Sequence, residues 1–188
     1  MKKIILLITA TIFLNSTLFS QERLDINIKK STIKWIGELT FNFGGHEGFI
    51  NFKEGYFIKT NDVITGGEFI IDMNSITNTD IESEKGKEGL VQHLKEPDFF
   101  DVEQYPSAKL TITSVEYFKD KTMRLYANLA IKSITKPIQF YGKPNFKQKS
   151  LSTRFKIDRK EWNVNYQSKF KNSAISDGIG FEVFIQLK

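Results

Sequence analysis

The chain has 188 residues, 40% hydrophobic and 26% charged, with a formal net charge of +5 and no cysteine. Disulfides, thiolate nucleophiles and cysteine-ligated metal centres are therefore excluded. The basic residues are scattered along the chain, whereas a nucleic-acid surface would gather them in one patch.

The first twenty residues do not read as part of a fold. Lys2 and Lys3 precede the apolar run Ile4–Leu14, and a short polar-leaning stretch ends in the small residue Ser20. This order is the pattern of a secretory signal peptide over residues 1–20. An 11-residue apolar run is too short for a hydrocarbon core that needs about 20, so no transmembrane anchor is expected in the mature chain. Residues 21–188 then make a single domain, with a net charge of +3 once Lys2 and Lys3 are removed. A domain of that size can bury a core without metal or disulfide help. The expected location is the periplasm, or outside the cell by secretion.

From residue 33 onward, apolar and polar residues alternate with the two-residue period of half-buried strands. Ile33, Trp35, Gly37, Leu39, Phe41 and Phe43 share one face of a first strand, Ile33–Phe43. After Gly44-Gly45 the row resumes as His46, Gly48, Ile50 and Phe52. Phe69, Ile71 and Met73 mark a third strand, and Ala108, Leu110 and Ile112 a fourth. The row from Met123 to Ile131, which includes Leu125, Ala127 and Leu129, is a fifth, and Ile138 with Phe140 a sixth. Leu151, Thr153, Phe155 and Ile157 make a seventh, and Ile179, Phe181, Val183, Ile185 and Leu187 an eighth. One wet and one dry face per strand goes with antiparallel neighbours. Short connectors such as Lys119-Asp120-Lys121 and Gln148-Lys149-Ser150 read as hairpin turns. Long antiparallel strands tend to close and so lose their edges. The expected fold is all-β, a single eight-stranded antiparallel up-and-down barrel, with a two-sheet sandwich as the alternative.

Between the third and fourth predicted strands, over about residues 78–102, the period breaks. Leu90 and Leu94 lie four apart, as on one face of a helix, with His93 beside them. Gly86 and Gly89 each weaken a helix interior by about 1 kcal/mol, which confines the expected helix to Lys87–Lys95. Pro97 ends it, and Phe99-Phe100 follows between Asp98 and Asp101. These rings read as a plug for the open barrel end, or as ligand contacts.

The dry rows of a closed barrel can fill the lumen or enclose one small guest. Gly37, Gly48, Ala108 and Ala127 on those rows are compatible with both. His46 and His93 are the only imidazoles. Each is either structural or a hydrogen-bond partner for the polar head of a ligand. No spacing matches a zinc site, a phosphate loop or a catalytic triad. No catalytic residue, metal or cofactor is assigned, and no enzyme is expected.

Several segments resemble the YceI-like family of exported bacterial proteins. They are His93-Leu94 with Asp98-Phe99-Phe100-Asp101-Val102 and Tyr105-Pro106; Trp35; His46-x-Gly48; and Asp72-Met73-Asn74-Ser75-Ile76. Leu129-x-Ile131-Lys132 with Thr135-Lys136-Pro137-Ile138, and Ile157-Asp158-Arg159, complete the series in family order. Ser133 and Trp162-Asn163-Val164 depart from the turn glycines common there. The resemblance implies a lipocalin-like extended barrel whose lumen holds a long-chain amphiphile: a polyisoprenoid, an isoprenoid quinone or a fatty-acid derivative. The role implied is transport or storage of that ligand. The residues then expected to bind it are Trp35, Phe41, Phe43, Ile50, Phe52, Phe69, Ile71, Leu110, Ile112, Leu125, Leu129, Phe155, Ile157, Phe181 and Val183. Phe99 and Phe100 form the plug, and His46 and His93 meet the head group. No nucleic-acid partner is expected, and a homodimer is compatible. The competing readings are an enzyme that modifies an isoprenoid in the same tunnel, and a filled-barrel interaction module of the envelope.

Overall fold

The computed structural model describes residues 20–40, 43–167 and 175–188. The predicted signal peptide lies outside them except for Ser20, and so does Phe41. Eight antiparallel strands close on themselves: β2 (Thr32–Leu39), β3 (Gly45–Thr60), β4 (Val63–Asp72), β5 (Ser107–Tyr117), β6 (Met123–Ile131), β7 (Ile134–Asn145), β8 (Ser150–Asp158) and β9 (Ile175–Gln186). Each pairs with the next, and β9 returns to β2, which completes the up-and-down barrel.

A further strand, β1 (Gln21–Asp25), pairs with Tyr56–Thr60 on the β3 edge that β2 leaves uncovered. Its sequence, QERLD, has no apolar row to announce it. Backbone pairing holds it, with Glu22 against Lys59 at 2.6 Å and the Arg23 guanidinium 3.6 Å from the Tyr56 ring centroid.

Two bulges explain where the alternation becomes unreadable. On β3 the register shifts between Phe52 and Glu54, and the buried row passes from Ile50 and Phe52 to Gly55 and Phe57. On β5 it shifts between Ile112 and Ser114, and the next apolar residue packed on the core is Val115. An inserted residue reverses which face each later side chain takes. The second predicted strand therefore extends past Lys53 to Thr60, and the third begins at Val63.

β7 pairs with β6 from Ile134 to Gly142 but with β8 only from Gly142 onward. Pro137, which has no N–H to give a ladder, thus sits inside the strand where β7 has a neighbour on one side. The turn Arg159–Trp162 packs near this seam. Trp162 is buried there and donates Nε1–H to Leu129 O at 3.0 Å. Asn163 follows in the left-handed region at φ 56°, which Asn tolerates well among residues with a side chain.

The helix α1 (Glu84–Lys95) joins β4 to β5 and starts three residues before the expected Lys87. Ser83 caps it by accepting Gly86 N–H at 3.3 Å, so Gly86 falls in the first turn, where its flexibility costs less than in the interior. Topology places α1 at the barrel end that also carries the β2–β3 turn and the start of β9. At the opposite end Ile26, Phe57, Met123 and Leu125, each 1% exposed or less, close the lumen.

Candidate functional site

The barrel is hollow. A cavity of about 220 Å³ runs from Phe57 and Leu125 toward the helix-bearing end. Apolar cavities of roughly 150 Å³ stay dry and take up apolar guests, so this space suits hydrocarbon. A filled core is not what the chain builds. Among the described residues, no buried side-chain nitrogen or oxygen lacks a hydrogen-bond partner, so the wall makes no unmet polar demand.

Most residues expected from the alternation meet here. Trp35, Ile50, Phe52, Phe69, Ile71 and Leu110 line the cavity, as do Ile112, Leu125, Leu129, Phe155, Phe181 and Val183. Phe99 and Phe100 line it from the insertion, and His46 from the start of β3. Three of the expected residues lie outside the lining. Phe43 is fully exposed and lies outside the strands, since β2 ends at Leu39 and β3 begins at Gly45. His93 does not line the cavity but packs behind its plug. Ile157 is buried yet outside the lining, beside Trp162 at the β7–β8 seam.

The alternation also missed contributors. Leu90 and Leu94 reach the cavity from α1, and their four-residue spacing was the available signal. Phe57 follows the β3 bulge and was hidden by it. Arg159 comes from the turn after β8, where no periodicity operates, and Ser176 from the start of β9, ahead of the apolar row that begins at Ile179. Gly48, read as a small lumen residue, has another task. A Cβ there would fall 1.8 Å from Thr77 O. Only glycine lets the 77–79 segment lie on β3, through Thr77 N–H to Phe49 O (2.9 Å) and Thr79 N–H to Glu47 O (3.0 Å).

The plug is an aromatic cluster. The Phe99 ring stacks on Tyr166 with centroids 4.8 Å apart, and the His93 imidazole meets both edge-on at 5.0 and 4.6 Å. His93 Nε2 lies 3.2 Å from Asp98 Oδ2. Lys132 Nζ donates to the Pro97 and Phe99 carbonyls at 3.1 and 3.2 Å, tying the turn to the β6–β7 connection. Val102, 1% exposed, anchors the far side. The donor atoms of His93, Glu96 and Asp98 lie within 4.8 Å of one another. Within this group His93 is engaged by Asp98 and lies edge-on to the Phe99 and Tyr166 rings.

The polar groups near the lumen are mutually engaged. Arg159, 3% exposed, donates to the Ser176 and Val164 carbonyls and to Asp177 Oδ1. Thr153 Oγ1 donates to Tyr141 O at 2.6 Å, and Glu38 pairs with Lys156 at 2.7 Å. At the rim, His46 Nδ1 is 2.8 Å from Asp80 Oδ2. Partial burial opposes ionisation of Asp80, but hydrogen bonds from Glu47 N–H, His46 and Asn78 outweigh it and hold the carboxyl below its usual range. Among the described residues, no helix is long and apolar enough to cross a membrane.

Known proteins share this architecture. Burkholderia cenocepacia BcnA superposes with a TM-score of 0.70 at 16% identity, covering 86% of this chain and 98% of that one. A Campylobacter jejuni YceI protein gives 0.56 at 19% identity, covering 79% and 89%. At those identities the likeness establishes the fold alone. UPF0312 proteins of Pseudomonas putida strains F1 and KT2440 are 26% identical over 133 residues, 70% of this chain and 66% of their own length. A YceI-like domain model matches residues 19–187, and the chain therefore belongs to the YceI-like family.

Proposed function

We propose that this protein is exported and binds one long-chain amphiphile, a polyisoprenoid, isoprenoid quinone or fatty-acid derivative, with the tail in the barrel and the polar end at the rim. The observation that carries the reading is the apolar cavity inside the barrel. Burial stabilises a tail by about 0.8 kcal/mol per methylene, so ten methylenes gain on the order of 8 kcal/mol. That is enough to offset a substantial part of the entropy lost on association. The signal-peptide pattern of residues 1–20 supports export to the periplasm. The proposed role is carriage or storage, supported by a lining that among the described residues is overwhelmingly apolar. The test is solvent extraction of protein purified from a membrane-bearing host, followed by mass spectrometry. A stoichiometric long-chain lipid is expected. Recovery of no chain of about ten or more carbons, the length the burial argument uses, counts against the proposal.

A further inference from the structure

One imidazole organises the polar atoms at the rim of the cavity. His46 on β3 lies directly across from Gly37 on β2, and both residues line the cavity. A Cβ on Gly37 would meet nothing nearer than His46 O at 3.7 Å and Trp35 Cζ3 at 4.0 Å. Open space therefore lies beside His46, in a wall that is otherwise closely packed.

Asp80 fixes the orientation of the ring. Its Oδ2 faces His46 Nδ1 at 2.8 Å, while its Oδ1 accepts Glu47 N–H at 2.8 Å and Asn78 Nδ2–H at 2.6 Å. Asn78, 8% exposed, is itself held by Ile81 N–H at 3.0 Å and by donating to Glu47 O at 3.1 Å. An ionised carboxylate only accepts, so the proton between Asp80 and His46 sits on Nδ1. Neutral His46 then has its lone pair on Nε2, as an acceptor. The other polar side chains of the lining are engaged elsewhere: Arg159 with Asp177, Glu38 with Lys156, Thr153 with Tyr141, Trp35 Nε1–H with Thr77 O, and Ser176 Oγ by accepting Gly178 N–H.

We infer that the site selects guests whose polar end donates a hydrogen bond, a long-chain alcohol over a quinone, ester or ether with the same tail. His46 Nε2 is the acceptor, and Asp80 is the positioning residue that holds the tautomer. This rests on the lipid-binding reading above and narrows it. A quinone oxygen offers only lone pairs, which would face the lone pair of Nε2. A carboxylate head, ionised at neutral or higher pH, likewise offers Nε2 only lone pairs.

Geranylgeraniol and its methyl ether test the inference, since they share a tail and an oxygen and differ in the O–H. Titrated at pH 8.5, the wild-type protein is expected to bind the alcohol about three- to tenfold more tightly, the range of one net hydrogen bond. His46→Leu should bind both ligands equally while retaining affinity for the tail. In Asp80→Asn, the two N–H donors already on Oδ1 keep the amide oxygen there and turn the new amide nitrogen toward Nδ1. The ring proton then moves to Nε2, visible as an exchange of the two imidazole nitrogen shifts by NMR, and the alcohol preference is lost. Equal binding of alcohol and ether by the wild type overturns the inference and leaves lipid binding standing. An Asp80→Asn protein that keeps the full preference overturns the role of Asp80. Failure of both ligands to bind the wild type overturns the lipid-binding reading itself.

Discussion

Gly37→Phe gives the sharpest test of whether the hollow is the binding site. Gly37 lies on the inward row of β2, and its backbone is outside the left-handed region that would penalise a side chain. The nearest atoms to a Cβ leave ordinary van der Waals room, so the ring would extend into the cavity without displacing backbone. A phenyl group fills the space of roughly four or five methylenes, each worth about 0.8 kcal/mol. The tail should lose about 3–4 kcal/mol, which weakens Kd by two to three powers of ten. Stability should hold or rise slightly, because filling a cavity recovers contacts that its walls lack. Titration of a fluorescent lipid, alongside thermal denaturation and circular dichroism, measures both quantities. A folded Gly37→Phe protein that binds at full strength refutes the reasoning, because the tail would then lie elsewhere.

Three further outcomes follow from other parts of the structure. Gly48→Ala drives a methyl into Thr77 O and should break two backbone hydrogen bonds and the Trp35 Nε1 bond to the same carbonyl. At about 1 kcal/mol each, thermal or urea denaturation should show a loss of about 3 kcal/mol. Phe99→Ala removes a buried ring that stacks on Tyr166; it should destabilise by about 3–5 kcal/mol and speed lipid release measured by stopped-flow. Asp80 has a lowered folded-state pKa, so its stabilising effect is full above the unfolded value near 3.9 and fades as pH falls through the folded one. Asp80→Asn should accordingly flatten the acid limb of the stability curve below about pH 4; an unchanged limb would rule out that contribution.

The barrel was legible where the period of two runs unbroken. All five inward positions of β6, from Met123 to Ile131, are buried as the alternation requires. Legibility failed at the bulges of β3 and β5, because one inserted residue swaps the faces and the pattern then reads as noise. It failed for β1, whose stability comes from pairing with an edge left open by a distant part of the chain. At the site, the walls were readable and the rim was not. The Asp80–His46 contact joins residues 34 positions apart through a turn with no repeating geometry. His93 was noticed for its chemistry, yet its place is set by Phe99 and Tyr166, partners that only the folded chain supplies.

A barrel so rich in phenylalanine would be expected to fill itself, and the arrangement of the rings explains why it does not. Phe140, Phe155 and Phe181 lie on the neighbouring strands β7, β8 and β9, with successive centroids 4.7 and 5.4 Å apart and successive planes inclined by 20° and 31°. On the opposite side, Phe69 of β4 packs against Phe52 and Phe57 of β3 at 5.9 and 5.0 Å. Each ring thus finds its aromatic partner along its own wall, where the geometry adds about 0.5–1.5 kcal/mol per pair beyond area burial. Reaching across the lumen would sacrifice those contacts, while Gly37, Ala108 and Ala127 supply too little bulk between the walls to fill the middle. A substitution that breaks a wall pair, such as Phe155→Leu, should free Phe140 and Phe181 to move inward. It should therefore reduce lipid capacity more than the single lost ring contact would suggest.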